Sequence, residues 1–382
     1  MNIIRKYIKK TFLIPTCLLF ALCSQSAMAL VSLKEITTFT NQLIKEETLN
    51  GSVVYGTGHC DIIYSLGLVD NPFSKNAKKQ LISSSADHTI RIWDVEKGTS
   101  EIIGTHSDKV NSVAVTEYVK GYKNGKTHFV SSSIDGSLQF WSYNHDLETI
   151  SKGFTCNKFE NEKEEIVKAK NAVVRLDASR VAFVTNKNTI GIFDWLYADL
   201  YVSLLEFGKK PNSIQELKGH KAWIDSIISL DEKGERIASA SWDKTIKIWD
   251  TKTGECIKTF EGHEGPVNCV RQVTNDILVS GSDDKLIKLW DIKTDECKTL
   301  QGHLDRVYTL LTIPEEKLII SGSRDKTIKV WDLTKSNDEA CVFTFDCGCS
   351  VRALAYSQKD GKLYVGLANG DIKVLSFLNE KE

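Results

Sequence analysis

The residues best suited to chemistry in this chain come in sets. Five histidines, His59, His106, His220, His263 and His303, each precede a tryptophan by 27 to 35 residues, and a serine-bearing run and an aspartate lie between. Serine, histidine and aspartate are the parts of a nucleophilic hydrolase. Five like sets would mean five active sites in one polypeptide, so a structural role is the better reading. Cys347 and Cys349, one residue apart, could bind metal or exchange disulfides, but no second ligand pair accompanies them. A Gly-rich phosphate loop and carboxylates at catalytic spacing are also missing from the sequence. The sequence therefore predicts no catalytic residue, no metal and no cofactor.

The elements that carry these residues form a repeat. Ile237–Asp250, Ile277–Asp291 and Leu318–Asp332 read IASASWDKTIKIWD, ILVSGSDDKLIKLWD and LIISGSRDKTIKVWD, with Trp249, Trp290 and Trp331 spaced 41 apart. Two copies upstream end at Trp93 and Trp141. Two weaker copies bring the count to seven: Arg180–Asp194, with Phe193 at the tryptophan position, and Lys362–Phe377, with Leu375 there. A period of this length marks stacked supersecondary units that share a core. Alternation in Ile246-Lys247-Ile248-Trp249 marks each unit as strands.

This pattern resembles the Trp-Asp (WD) repeat family from Gly51 to Phe377. The resemblance implies an all-β fold, a seven-bladed β-propeller of four-stranded blades closed by an N-terminal strand in the last blade. It also implies a buried hydrogen-bonded chain in each intact repeat. By position these chains are His59–Ser83–Asp87–Trp93, His106–Ser131–Asp135–Trp141, His220–Ser239–Asp243–Trp249, His263–Ser280–Asp284–Trp290 and His303–Ser321–Asp325–Trp331. There the indole N–H closes the chain and satisfies groups that would each cost roughly 1–3 kcal/mol if buried unpaired.

Partners of this family often sit over the central channel, against the first strand after the histidine and the residue before the turn aspartate. Carried over, these positions are Ile62, Tyr64 and Ala86 in blade one, and Lys109, Asn111 and Ile134 in blade two. Blade four supplies Trp223, Asp225 and Trp242; blade five supplies Pro266, Asn268 and Asp283; blade six supplies Arg306, Tyr308 and Arg324. Blade seven offers Ser350 and Arg352. Trp, Tyr and Arg are the residue types of interface hot spots. Trp223 and Trp242 fill no structural tryptophan position and are expected on one rim. The three arginines favour acidic groups on the ligand, opposed by Asp225 and Asp283. The function this implies is a non-enzymatic scaffold for a protein or peptide partner, the alternative being an enzyme or small-molecule binder that uses the channel.

The 382-residue chain has a net charge of −1, which supplies no field for nucleic acid, so no nucleic-acid partner is expected. Arg5, Lys6, Lys9 and Lys10 precede an apolar run from Thr11 to Cys23 and then Ala27-Met28-Ala29, a signal-peptide pattern over residues 1–29. Thirteen residues at 1.5 Å rise cannot cross roughly 30 Å of hydrocarbon, so no stable membrane span is expected after cleavage. The implied location is exported, periplasmic or secreted. Residues 30–50 are expected to hold a short helix, because Ser32-Leu33-Lys34-Glu35 has capping-box spacing, and 51–382 the propeller. Val53-Val54-Tyr55 is expected to be the closing strand, and the apolar stretch Trp195–Phe207 the outer strand of blade three, the alternative being a partner-binding flap. Cys256 and Cys297, at equivalent repeat positions, are expected to be buried fillers.

Overall fold

A computed structural model describes residues 33–39 and 58–377, apart from 70–79, 96, 116–125, 145–148, 162, 164, 178, 195–213 and 360. Seven four-stranded antiparallel sheets follow one another around a ring. Blade four shows the unit: Ile224–Ser229 on the inside, then Arg236–Ser241, Ile246–Asp250 and the outer Cys256–Phe260. The other inner strands are Ile63–Val69, Val110–Val115, Ala169–Arg175, Val267–Thr274, Val307–Ile313 and Val351–Ser357. Each packs on the next, and that of blade seven packs on that of blade one, so the ring is closed.

Both faces of every blade are covered, which is why alternating strands bury nearly all their apolar side chains. In blade four, Ile246 and Ile248 pack toward Trp290 of blade five. Trp249, on the opposite face, packs with Val184 and Ile192 of blade three. Seven such clusters, one per junction, replace a single central core. At about 25 cal/mol per Å² and about 200 Å² for an indole, each buried tryptophan contributes on the order of 5 kcal/mol before entropy is counted.

The N-terminal expectations are corrected. Leu33–Phe39 is a strand rather than part of a helix, and it pairs antiparallel with Ile372–Phe377 as the outer strand of blade seven. Its β-branched run Ile36-Thr37-Thr38 loses side-chain freedom in a helix, and the exposed edge of Ile372–Phe377 offers a full ladder instead. Val53–Tyr55, expected in that place, lies outside the described residues, as do the signal-like residues 1–29. In blade three the outer strand is Ile214–Leu217, not Trp195–Phe207.

Blade three, which lacks the His, Asp and Trp, compensates with other chemistry. Its charged run folds back as a small hairpin, Phe159–Glu160 with Ile166–Val167. The hairpin drives fully buried Phe159 against Phe183 and Phe193. Asn161 donates to Glu216 at 3.0 Å, and the Thr189 hydroxyl donates to the same carboxylate.

Candidate functional site

All five expected hydrogen-bonded chains are present. In blade four Trp249 Nε1 donates to Ser239 Oγ at 2.8 Å, Ser239 Oγ lies 2.7 Å from His220 Nε2, and His220 Nδ1 lies 2.7 Å from Asp243 Oδ2. Blades one, five and six repeat these contacts between 2.6 and 2.8 Å. Blade two is looser, with Trp141, Ser131, His106 and Asp135 spaced at 3.0–3.2 Å. An indole nitrogen can only donate, so the polarity is fixed: the serine hydroxyl donates to Nε2, and Nδ1–H donates to the carboxylate. The polarity matches a hydrolytic triad, but all five serine side chains are fully buried and carry the indole as well. No substrate reaches these oxygens.

The aspartate ties the chain to the turn. Asp243 Oδ2 also accepts Lys221 N, and its Oδ1 accepts the backbone and hydroxyl of Thr245. Burial raises the pKa of these carboxyls, but hydrogen bonds from the histidine and the turn more than offset it. Asp87, Asp243, Asp284 and Asp325 therefore lie below the usual carboxylate range, and Asp135 is brought down to about 2. Burial also lowers the imidazole pKa of His59 and His106, despite the aspartate partner, which favours the neutral ring the chain requires. The glycine before the histidine has its own reason: Gly219 has φ +153°, and a Cβ there would meet the Trp249 ring at 3.2 Å.

These turns also position a second group of side chains. In each intact blade the residue before the aspartate donates its N–H to the carbonyl before the inner strand. Examples are Trp242 to Trp223 at 2.7 Å, Asp283 to Pro266 at 2.9 Å and Arg324 to Arg306 at 2.9 Å. Six blades thus bring their carried-over positions to one end of the channel, where the mouth encloses about 440 Å³. Tyr64, Lys109, Asn111 and Ile134 line one side of it. Trp223, Asp225, Trp242, Asn268, Asp283, Arg306, Tyr308 and Arg352 also line it. Arg324 does not line it and lies 3.8 Å from Asp305 instead; Ile62, Ala86, Pro266 and Ser350 are also outside the lining.

Trp223 and Trp242 are 48% and 44% exposed with ring centres 5.1 Å apart, so they both stack and face solvent. Trp242 Nε1 donates to Asp225 Oδ2 at 2.6 Å, and Asn171 donates to Asp225 Oδ1 at 2.7 Å. Burial pushes the Asp225 carboxyl up to about 6; those two bonds and the charge of Arg352 oppose the shift, and Asp283 adds to it. Asn268 fastens Asp283, which also pairs with Arg306 at 3.1 Å. Arg306 is thus partly neutralised. Arg352 lies 3.9 Å from the Tyr308 ring centre and 5.6 Å from that of Tyr64, and such cation–π contact holds the guanidinium in place.

Sequence reasoning missed the blade-three contribution. Lys170, Asn171 and Asn188 line the mouth, and Lys170 Nζ sits 3.7 Å from the Trp223 ring centre. Without a His and a turn Asp there was no anchor for carrying positions over, although Asn171 occupies the same first-strand place as Asn111 and Asn268. The cysteine expectation is also corrected: Cys256 and Cys297 are exposed, because they open outer strands.

Comparison with known proteins agrees with this architecture. The WD domain, G-beta repeat family matches residues 52–94, 211–250, 254–291 and 294–332. The WD40 β-propeller domain of Doa1 superimposes with a TM-score of 0.63 over 85% of this chain and 95% of that domain. At 20% identity this likeness speaks for the fold alone. The fold is a seven-bladed β-propeller, and the matched segments within it are WD repeats. Nuclear distribution protein PAC1 of Candida glabrata is 25% identical over 264 residues, 61% of this chain and 53% of that protein. A ribosome biogenesis protein WDR12 homolog of Nematostella vectensis is 25% identical over 262 residues, 54% of this chain and 61% of that protein. A probable E3 ubiquitin ligase complex SCF subunit, sconB, of Arthroderma otae is 45% identical over 58 residues, 15% of this chain and 8% of that protein. The chain thus spans about half the length of the first two relatives and a small part of the third. These relatives correct the expected location: their names describe machinery inside cells, against an exported, periplasmic or secreted protein. No helix among the described residues is long and apolar enough to cross a membrane.

Proposed function

We propose that this protein is a non-enzymatic interaction scaffold that holds a protein or peptide partner at the channel mouth. The observation that carries the reading is convergence: hot-spot residue types from four blades line one cavity, with two half-exposed tryptophans at its rim. The relatives named for nuclear distribution, ribosome biogenesis and an SCF ligase complex belong to multi-protein undertakings, which supports a protein partner over a small substrate. Lys109, Lys170, Arg306 and Arg352 share the mouth with Asp225 and Asp283, a mixed charge that suits a peptide or protein surface better than a polyanion. The rigid seven-way ring presents these groups pre-ordered, so little side-chain entropy is lost on docking.

The double substitution Trp223→Ala with Arg306→Ala removes two rim anchors and no member of a buried His–Ser–Asp–Trp chain; the Arg306–Asp283 pair it breaks is partly exposed. Affinity capture of native partners is lost in this variant, while the melting temperature stays within about 2 °C of the parent, as surface changes away from buried networks allow. Retained capture by the variant would remove this face from consideration.

A further inference from the structure

Below the mouth, the channel is lined by the inner strands and encloses about 390 Å³. The charged residues along it are unbalanced: Arg175, Arg271 and Arg352 carry positive charge and Asp225 alone is acidic. The whole chain has one more acid than base, so the excess of cations is local. Both oxygens of Asp225 are already engaged, by Asn171 and Trp242.

Arg271, on the inner strand of blade five, makes two hydrogen bonds and no ion pair among the described residues. Its Nη1 donates to the Val270 carbonyl at 2.7 Å and to Ser226 Oγ at 3.3 Å. The Nε–H and both Nη2–H groups find no acceptor among the described residues, and no described carboxylate pairs with the guanidinium. Neither nitrogen is sealed from the channel. Burial lowers the guanidinium pKa, the direction for a cation taken from water without a counter-charge. A buried cation is ordinarily paired, and the Nε–Nη2 edge of arginine is the planar fork that matches two oxygens of one anion.

We propose that the central channel is a binding site for a small oxyanion, a carboxylate or a phosphate group, received by the Nε–Nη2 edge of Arg271. The mouth and channel share Tyr64, Asn111, Asp225, Asn268, Tyr308 and Arg352 in their walls, so the anion enters from the mouth. It arrives either free or as the acidic group of a larger molecule. The site stands independently of the partner proposed for the rim.

The test follows the Arg271 Nε–Hε resonance of the ¹⁵N-arginine-labelled full chain, assigned by its loss in Arg271→Gln. Sodium phosphate and sodium acetate are added against sodium chloride at matched ionic strength. The resonance moves downfield and saturates with acetate, phosphate or both, and does not do so with chloride. A preference for acetate marks a carboxylate source and a preference for phosphate a phosphoryl source. In a second measurement, Arg271→Lys keeps the charge, loses the fork and binds the preferred anion about tenfold more weakly, with the melting curve reporting that it folds. Equal response to all three salts overturns the site, as does undiminished anion binding by Arg271→Lys.

Discussion

Ser83 and Ser84 are neighbours in the second strand of blade one, both fully buried, and the same deletion acts on them in opposite ways. Ser83 Oγ accepts from Trp93 Nε1 at 2.7 Å and lies 2.6 Å from His59 Nε2. Ser83→Ala takes from a buried indole its acceptor and from a buried imidazole its donor. At about 1–3 kcal/mol for each buried polar group left unsatisfied, the loss is roughly 2–5 kcal/mol once partial relaxation is allowed. Ser84 Oγ has no hydrogen-bond partner among the described residues, so Ser84→Ala removes a buried hydroxyl that is uncompensated there and is neutral or mildly stabilising. Thermal denaturation compares the two variants with the parent. At roughly 2 °C per kcal/mol for a chain of this size, Ser83→Ala melts about 4–10 °C lower, and Ser84→Ala melts at or above the parent. Equal shifts for the two would show that the loss comes from the cavity or the strand, not from the relay, and would refute the strut argument.

Two further outcomes follow from the geometry. The Asp225 carboxyl is raised from 3.8 to about 6 by burial. A raised carboxyl contributes stability that is complete below 3.8 and lost as pH rises through about 6. Melts of Asp225→Asn and parent across this range therefore diverge, the parent losing up to about 3 kcal/mol relative to the variant on going from acid to neutral pH; a pH-independent difference contradicts the raised pKa. Gly281→Ala brings a Cβ to 2.6 Å from Val307 Cγ1 of blade six and 2.9 Å from Cys269 Sγ. Overpacking of that kind costs about 1–3 kcal/mol, and a denaturant midpoint unchanged from the parent would show that the blade junction is looser than described.

The sequence revealed the repeating parts and obscured the exceptions. His, Ser, Asp and Trp could be assigned to all five chains because each set is defined by local spacing, and local spacing is what turns and hairpins enforce. The mouth residues of blades one, two, four, five, six and seven were legible for the same reason, since each sits a fixed number of positions from one of those anchors. Arg324 escaped because its backbone is fixed by the turn while its long side chain leans toward Asp305. Blade three was opaque because Phe159 and the Asn161–Glu216 bond do the work of the missing polar chain from a hairpin that has no counterpart among the described residues of the other blades. The closing strand was misplaced because pairing across the whole chain is decided by the open edge it meets, and capping-box spacing over Ser32–Glu35 says nothing of that edge. Arg271 was invisible for a like reason: its significance lies in the acids absent around it, a property of the assembled ring.

The pairing of Leu33 with Phe377 also sets an order of events. During synthesis Leu33–Phe39 leaves the ribosome before any other described strand, and its ladder partner Ile372–Phe377 leaves last. Blades can stack as they emerge, each on its predecessor, but the circle stays open until translation has passed residue 377. The entropy of bringing such distant segments together grows only with the logarithm of their separation, so closure after release is affordable in free energy while being late in time. Until then both the waiting strand and the growing end present bare edges, the interval in which a chaperone or a second nascent copy has its opportunity to pair with them.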